Sequence, residues 1–374
     1  MTQDSGLWTQ DSGLRTQDSG LRTQDSGLRT QDSLFDCSNL KAYSGYFVDR
    51  EKLLQSSSGG GATALSEAVI REGGAVFGAC YSSDFRSAEF VCIEKISDLH
   101  KLKGSKYIPT EKKIFQDGEY KPLWPSVAEK LESGRQVLFI GLGCDVGALK
   151  SFLNAKNIDT SNLFTADLFC YGPAPVEVHR QYIEYLESRY KSRVKNFTVR
   201  SKKKGWTPPY VFAEFENGQQ FCKQFYTTDY GLAFGTFTRE GCYNCRFRGV
   251  NHQADVTLGD FWGLTPKMNG YNPDGVSIFI VKTERGEELM RKINTKEFSL
   301  SSADPVFAVE HNRMYYTCRK RPEDYARLCD DLKTKGLHIA MVNHFGRLRY
   351  YARGIRGLIP KSAKRIIKAI LRRP

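Results

Sequence analysis

The sequence lacks several features that would assign it to a specialised class. It has no apolar run of about 18 residues, so no transmembrane helix is predicted. Its N-terminus is polar and carries no secretory signal, and no DNA- or RNA-binding signature is present. These absences predict a cytoplasmic protein without a nucleic-acid partner.

Acidic residues are missing from the end of the chain. The net charge is +13, and +10 of it falls between Ile339 and Pro374, where no Asp or Glu balances Lys and Arg. Within this stretch, Arg347–Pro374 has apolar residues at helical spacing and basic residues on the other face. Such a helix is expected to make peripheral contact with an anionic membrane, at the inner face of the cytoplasmic membrane. A tail that packs on a partner or stays solvated is the alternative.

Residues 1–36 repeat Thr-Gln-Asp-Ser-Gly-Leu-Arg, with small changes, at a seven-residue period. Each of the four complete units contains a glycine and, apart from Trp8, a single apolar position, and a broken fifth copy starts at Thr30; this pattern excludes a coiled coil. The repeat is predicted to be a disordered tail, or upstream sequence wrongly included in the reading frame.

The remaining chain is predicted to fold as an α/β (α+β) protein. We expect a mixed, partly parallel sheet with flanking helices, a β-hairpin, a cysteine-rich loop region and a basic C-terminal amphipathic helix. The predicted regions are 43–120, 121–310 with the candidate site cysteines, and a helical, basic 311–374.

A βαβ unit is predicted from strand Gln136–Ile140, a helix from Ala148 to about Ala155, and strand Leu163–Phe169. Cys144 and Cys170 follow these two strands. Because ligands gather at the carboxyl ends of parallel strands, both thiols are expected at one ligand-binding edge.

Glycines in the same unit suggest a second interpretation. Gly141-x-Gly143 followed by Gly147 resembles a dinucleotide fingerprint, although the last glycine is one place late. With Asp167 as the acidic partner, these glycines would suit an enzyme that uses a nucleotide or a methyl donor.

Ten cysteines in a chain without a secretory signal indicate a reducing compartment, with thiols free or bound to metal. Cys242-x-x-Cys245 suits half of a zinc site, half of an iron–sulfur site, a redox dithiol or two unrelated thiols. Cys144, Cys170, Cys242 and Cys245 all stand beside glycine-rich turns, and four thiolates are the complement of a 4Fe–4S cluster or of a structural zinc.

The other cysteines are interpreted as ordinary packing or tail residues: Cys37, Cys80, Cys92, Cys222, Cys318 and Cys329. His252, close to the Cys pair, is interpreted as a surface histidine. A hydrogen bond from it to a sulfur or a substrate is the alternative.

Serines and glycines at Ser56–Gly61 precede a predicted helix at Ala62–Glu72. Free N–H groups and hydroxyls at a helix start suit an anion, but simple N-capping explains the same residues and is favoured by the sequence alone.

Six motifs together resemble the beta subunit family of coenzyme F-420 hydrogenases and dehydrogenases, over roughly Tyr43 to Ile293. In chain order they are Ser56-Ser57-Ser58-Gly59-Gly60, Gly104-Ser105-Lys106-Tyr107, Gly143-Cys144 with Gly147 to Leu153, Asp167 to Pro173, Cys242-x-x-Cys245, and Leu258-Gly259-Asp260-Phe261-Trp262-Gly263.

The resemblance implies an oxidoreductase that holds FAD and a 4Fe–4S cluster and couples hydride transfer to one-electron transfer. It implies a deazaflavin or nicotinamide hydride carrier as a small-molecule partner. The implied cluster ligands are Cys144, Cys170, Cys242 and Cys245, and the implied flavin-binding residues are Ser57, Ser58, Gly59, Gly60, Ser105, Lys106, Asp260 and Trp262.

The sequence departs from the family pattern in three ways. The repeat stands where many relatives have a ferredoxin-like module, which implies a homologue of bacterial type that uses an external carrier such as a ferredoxin. The usual Gly-Thr-Pro-Cys-Gln turn is Gly-Leu-Gly-Cys-Asp here. The basic tail resembles forms found among surface-polysaccharide genes, so a zinc-stabilised or degenerate, non-redox accessory protein of glycan assembly at the membrane is the alternative.

Overall fold

The structure, a computed structural model, describes residues 40–116 and 118–358. Its strands are β1 Lys41–Phe47, β2 Ala75–Tyr81, β3 Ala88–Ile93, β4 Thr110–Gln116, β5 Glu119–Pro122, β6 Val137–Gly141, β7 Leu163–Leu168, β8 Val194–Ser201, β9 Tyr210–Phe215, β10 Gln220–Gln224, β11 Val256–Asp260, β12 Ser277–Val281 and β13 Phe298–Ala303. Its α-helices are α1 Arg50–Leu54, α2 Gly61–Arg71, α3 Leu123–Glu132, α4 Gly143–Ala155, α5 Val176–Tyr190, α6 Asp229–Thr236, α7 Glu284–Arg291, α8 Pro305–Glu310, α9 Tyr325–Thr334, α10 Leu337–Phe345 and α11 Arg347–Leu358.

A ten-stranded mixed sheet runs through the chain in the order β13-β1-β12-β11-β7-β6-β2-β3-β4-β5. The central strands β11, β7, β6 and β2 are parallel to their neighbours in that group, so their carboxyl ends share one edge. The strands β12 and β1 continue the sheet beyond β11 as antiparallel neighbours. The candidate site lies at the edge where the carboxyl ends of β11, β7, β6 and β2 meet.

Helices cover both faces of this sheet because its central strands are apolar on both sides. In β6, Leu138 and Ile140 pack with α2 and α7, whereas Val137 and Phe139 pack with α3 and α4. The alternation of side chains along a strand sends these two sets to opposite faces. All five residues of β6 are buried, as expected for the centre of a parallel sheet.

A three-stranded antiparallel sheet, β10-β9-β8, forms a second layer with α5, α6, α9 and α10. Its aromatic core includes Phe197, Phe215 and Tyr230, all nearly inaccessible to solvent. The segment just after β8 reaches the edge of the large sheet, so side chains of this second layer contribute to the candidate site.

The predicted mixed, partly parallel sheet, the flanking helices and the hairpin, which is β9 and β10, are confirmed. The predicted disordered repeat, Cys37 and the tail after Leu358 lie outside the described residues, and the predicted region boundaries stay predictions. Within the part that the structure describes, no helix combines the length and the apolar character needed to cross a membrane.

Candidate functional site

Cys144 and Cys170 lie at the same edge of the large sheet. The strands β6 and β7 are parallel neighbours, and Gly141 is level with Asp167. Cys144 is in the first turn of the helix that follows β6, and Cys170 stands two residues beyond the end of β7. The expectation that both thiols meet at the carboxyl ends of parallel strands agrees with this geometry.

The helix after β6 begins earlier than the sequence pattern predicts. It starts at Gly143 and not at Ala148, because Asp145 accepts a hydrogen bond from the Leu142 backbone N–H over 3.1 Å and so caps the first turn. Lys112 pairs with the same carboxylate at 2.6 Å. Cys144 is therefore held on a helix, whose N-terminal N–H groups favour negative charge.

The Cys242–Cys245 loop packs directly onto that helix. A Cβ added to Gly147 would lie 2.6 Å from the nearest atom of the Phe247 ring. A Cβ added to Gly143 would lie 3.1 Å from Cβ of the same phenylalanine. Both glycines are therefore used for close packing of the loop. They leave no open backbone for a dinucleotide, so the structure does not support the nucleotide interpretation.

A glycine also brings the turn after Cys170 to the Cys pair. Gly172 has φ +86°, and a Cβ on it would lie 3.1 Å from Cβ of Cys242. Thr238 fixes this contact by donating to the Pro173 carbonyl over 2.6 Å.

The four predicted cysteines line one cavity. Its volume is about 20 Å³, and the empty space between the lining atoms is about 380 Å³ when space open to solvent is included. The lining comprises Leu142, Gly143, Cys144, Cys170, Gly172, Pro173, Arg239, Cys242, Cys245, Phe247, Arg248, His252 and Met314. In the described part of the chain, no group of three or more His, Cys, Asp or Glu side chains is arranged to hold a metal ion directly.

Burial and two arginines set the electrostatics of this cavity. Burial raises the pKa of the Cys144 thiol to about 11 and that of Cys170 to about 12. Arg239 lies beside the sulfurs of Cys144 and Cys242. Arg248, 5% exposed, donates to the Cys170 carbonyl over 2.9 Å. The thiols thus keep their protons until a cation displaces them, and the arginines offset the negative charge that follows.

His252 is not a surface residue, so that interpretation is wrong. It is 5% exposed, and its Nδ1 lies 2.8 Å from Oδ2 of Asp167, which is fully buried. The residue lies in a stretch of polar sequence. In the structure, Lys282 donates a hydrogen bond to its carbonyl, and the Tyr315 ring stacks on its imidazole with 4.8 Å between the ring centres. Tertiary contacts, which the local sequence does not show, bury it.

Five further cysteines of the described residues are not part of the cavity lining: Cys80, Cys92, Cys222, Cys318 and Cys329. Cys222, interpreted as a packing residue, is exposed, because it lies on the outer strand of the small sheet. The sulfur of Cys318 lies 3.9 Å from the Cys245 carbonyl oxygen.

The Ser57–Gly60 loop is wedged against the same sheet edge. A Cβ on Gly59 would lie 2.1 Å from the Gly45 carbonyl oxygen and 2.4 Å from Ser277 N, so only glycine fits. Gly60 has φ +94°, a conformation that glycine adopts without strain.

Simple serine N-capping of α2 is wrong. The N-cap is Gly60, and no side chain at that position accepts from the helix. Ser58 donates instead to the Val276 carbonyl over 2.8 Å, and the Gly61 N–H is bonded by Ser277. The start of α2 is therefore not capped by its own serines, which leaves the anion interpretation as the better one.

The two predicted phosphate segments meet. Ser105 Oγ lies 3.2 Å from Ser57 Oγ, although the residues are 48 apart in sequence. Lys106 donates to the carbonyls of Leu102 and Lys103 at 2.9 and 3.0 Å, which uses two of its three N–H donors. Burial lowers the pKa of Lys106 to about 8.

Asp260 and Trp262 lie beside this loop, joined to it by residues that the sequence analysis missed. Asp260 accepts from Arg200 over 2.7 Å and from Trp206 over 3.0 Å, and Arg200 also donates to the Ser57 carbonyl over 3.2 Å. Trp262 stacks on Trp206 at 4.9 Å with an angle of 9° between the rings.

Lys202 is a further missed residue. It is 7% exposed and donates to the carbonyls of Leu53 and Ser58, and burial lowers its pKa to about 8. Lys202 and Trp206 belong to a basic turn far from the loop in sequence. The only signal in the sequence is the mixture of lysines with a tryptophan.

The two clusters are one strand apart. Leu258 of β11 is level with Leu168 of β7, and the Phe169 N–H donates to the Leu258 carbonyl over 2.8 Å. Asp260, at the end of β11, and the segment after β7 that contains Cys170 therefore leave the sheet at the same edge. This edge can hold two groups close enough to exchange electrons.

Comparisons with known proteins place this arrangement in context. Residues 134–305 match the family described as the C terminus of the coenzyme F420 hydrogenase/dehydrogenase beta subunit. The search of curated proteins found no match. Among solved structures, a chain of the F420-reducing [NiFe] hydrogenase complex from Methanosarcina barkeri is similar, with 20% identity and a TM-score of 0.48 over 73% of this chain and 89% of that one.

Proposed function

For a chain whose residues 134–305 match the coenzyme F420 hydrogenase/dehydrogenase beta subunit family, we propose a flavin- and iron–sulfur-dependent oxidoreductase. The match to this family supports a redox subunit of the hydrogenase or dehydrogenase type. The proposal adds that the chain couples hydride transfer at FAD to one-electron transfer at a 4Fe–4S cluster.

One observation carries the proposal. Four cysteines from three separate segments line one cavity, and the Ser57–Asp260 cluster lies one strand away at the same edge. A structural zinc site needs four sulfurs but no second ligand site beside it. The pairing of a sulfur-lined cavity with an anion-binding loop favours redox chemistry.

The cavity lining suits a 4Fe–4S cluster in its chemistry. Cys144, Cys170, Cys242 and Cys245 would hold it, since four thiolates are its usual ligands. Neither Asp nor Glu lines the cavity, and Arg239 and Arg248 add positive charge next to it. A cluster with four thiolates is anionic, so these arginines would stabilise it.

The second cluster suits the pyrophosphate and ring of a flavin. At the start of α2 the Gly61 N–H is bonded to Ser277, and the N–H groups that follow it are proposed to bind the pyrophosphate together with the hydroxyls of Ser57 and Ser105. Lys106 retains an uncommitted donor, and Lys202 fixes the loop through the Ser58 carbonyl. The stacked Trp206–Trp262 pair, with the Arg200 guanidinium 5.5 Å from the centre of the Trp262 ring, would border the flavin ring system.

A bound flavin would supply hydride chemistry, and a bound cluster would supply single-electron transfer. The chain's own residues orient these groups and exclude water. Arg200 and Trp206 fix the Asp260 carboxylate, and Asp260 is thereby fixed next to the Cys170 segment. No side chain is needed here as a general acid.

We propose that the small hydride carrier, a deazaflavin or a nicotinamide, binds in an open cavity of about 530 Å³. Its wall includes Tyr226, two cationic side chains, Lys320 and Arg321, and the carboxylate of Glu323. Arg321 is itself paired with Glu240 at 3.3 Å, so Lys320 is the cation proposed to meet an anionic group of the carrier. An external one-electron carrier such as a ferredoxin, and a role in surface-polysaccharide synthesis, complete the proposal.

The test is an absorbance and metal analysis of protein purified without oxygen and reconstituted with iron, sulfide and FAD. The proposal expects about four irons, four sulfides and one flavin per chain. Zinc alone, with no flavin, would instead support the non-redox accessory protein of glycan assembly.

A peripheral membrane contact is proposed for α11. Leu348 is 89% exposed and Tyr351 57% exposed, and Arg347 and Arg349 stand beside them. Tyr350 donates to Asp229 and so fixes the helix to the protein with these apolar side chains outward. Apolar side chains next to cations are what an anionic lipid surface binds.

A further inference from the structure

The imidazole of His252 faces the cysteine cavity with one nitrogen committed and the other without a partner. Nδ1 is 2.8 Å from Oδ2 of Asp167, and the ring is stacked on Tyr315 with an angle of 11°. Nε2 is buried, and it has no hydrogen-bond partner among the residues that the structure describes. His252 is at the same time part of the cavity lining.

Its neighbours fix the ring in this orientation. Tyr315 covers one face, the carboxylate holds one edge, and Lys282 donates to the carbonyls of Val250 and His252 itself. A buried polar atom without a partner is costly, so proteins keep one where it meets a ligand or a bound group. The opposite nitrogen of a histidine held by a carboxylate is the usual contact atom at metal sites.

The sulfurs of the four cysteines line the same cavity as this histidine. A ring with a proton on each nitrogen has two N–H donors, and the Asp167 carboxylate would balance the charge of such a ring. With Nδ1 donating to the carboxylate, Nε2 is left to donate to an anionic sulfur. Cysteine thiolates and sulfides of a cluster are such acceptors, and hydrogen bonds to them tune the potential of the cluster.

We propose that His252 donates a hydrogen bond from Nε2 to a sulfur of the centre held by the four cysteines, and that Asp167 is the positioning residue that aims it. The inference rests on the proposed function, since it needs that centre. Reduction places more negative charge on the sulfurs, so this bond strengthens on reduction and raises the reduction potential.

The first experiment is an EPR-monitored redox titration of reconstituted protein at one fixed pH. His252→Leu should shift the potential to a more negative value and make reduction about tenfold less favourable, the effect of one charge-assisted hydrogen bond. His252→Gln, whose amide donates, should recover part of the shift, and Asp167→Asn should give an intermediate one. His100→Leu, at an exposed histidine, should match the wild type.

A second experiment uses the wild-type chain, so that it does not depend on how the variants fold. Pulsed EPR on protein with 15N-labelled histidine should show a weakly coupled histidine nitrogen and an exchangeable proton near the reduced centre. A strong coupling would show direct ligation and overturn the inference, as would the absence of any histidine coupling.

The proposed function and the inference about His252 are overturned by different results. Protein that retains no iron and sulfide overturns both the proposed function and the inference. A normal cluster whose potential is the same in His252→Leu overturns the inference alone.

Discussion

The guanidinium of Arg200 lies 2.7 Å from the carboxylate of Asp260, 60 residues away in sequence, and joins two layers of the protein. Both side chains are largely buried, at 6% and 19% side-chain exposure. The same arginine reaches the Ser57 carbonyl, so one residue links the end of β11, the small sheet and the loop before α2. The candidate flavin site depends on this pair.

Replacing Arg200 should therefore remove flavin binding and stability together. Arg200→Met leaves a buried carboxylate without its charge partner, which typically costs about 3–5 kcal/mol. We expect a large fall in Tm and less than a tenth of the bound flavin, measured by calorimetry and by flavin absorbance after desalting.

Arg50→Met is the matched control, because Arg50 makes a 2.8 Å ion pair with Asp274 but is 73% exposed. It should change the free energy of unfolding by less than about 1 kcal/mol. Full flavin retention in Arg200→Met would contradict the assignment of this cluster.

The four cavity cysteines should behave alike and differently from the exposed one. Cys170→Ser and Cys242→Ser are expected to lose most cluster iron and the visible absorbance, because a cluster needs its complete thiolate set. Cys222→Ser lies on the outer strand of the small sheet and should retain both. Equal iron content in Cys170→Ser and Cys222→Ser would remove Cys170 from the ligand set.

Gly59→Ala tests the wedged loop. The added Cβ would lie 2.1 Å from the Gly45 carbonyl oxygen, so the loop must move. Its N–H groups would then no longer point toward the proposed flavin phosphates. We expect at least a tenfold weaker flavin affinity by fluorescence titration, with the iron content unchanged. Gly235→Ala, where a Cβ meets nothing within 4 Å, should leave flavin affinity at the wild-type value.

His179 should make stability depend on pH. It is fully buried, its Nε2 lies 2.6 Å from the Phe85 carbonyl oxygen, and burial lowers its pKa to about 4. The unfolded chain binds a proton below about pH 6.5, whereas the folded chain does so only near pH 4. The unfolded state thus binds more protons in this window, and stability falls as the pH falls.

Relative to His179→Gln, the wild type should lose up to about 1.4 kcal/mol per pH unit between about pH 6.5 and 4. Urea unfolding at several pH values measures this difference. His100→Gln, at an exposed position, should run parallel to the wild type. If the free energy of unfolding of His179→Gln also ran parallel to that of the wild type, His179 would not be buried in its neutral form.

Leu348→Glu with Tyr351→Glu should weaken membrane contact. Sedimentation with vesicles of phosphatidylserine and phosphatidylcholine should show binding of the wild type and a severalfold loss in the double variant. Val48→Glu, 62% exposed at the end of β1, should bind as the wild type does. Unchanged binding of the double variant would remove α11 from the contact.

The βαβ unit could be predicted because its evidence is local. Strand Leu163–Leu168 and the turn that ends at Cys170 follow from apolar runs and glycines, and parallel pairing then fixes which ends meet. The sequence pattern misplaces the start of α4 by five residues, since the cap is a side chain inside the helix, Asp145, whose bond only the folded backbone shows.

Residues that reach the site from another layer could not be predicted. Arg200 and Lys202 lie at and just after the end of β8, and nothing in their own neighbourhood indicates that they contact the loop before α2. The surface interpretation of His252 fails for the same reason. Its burial depends on Asp167 and Tyr315, which are 85 and 63 positions away.

The position of β1 in the sheet has a consequence for synthesis of the protein. This strand pairs with β12 and β13, so Gly45 finds its neighbour Ser277 only after more than 230 further residues have left the ribosome. The loop at Gly59, which packs on both, cannot take its final form earlier. Nascent chains that stop before Ser277 will therefore lack the complete candidate flavin loop, so the proposed cofactor could be bound only after this strand has been synthesised.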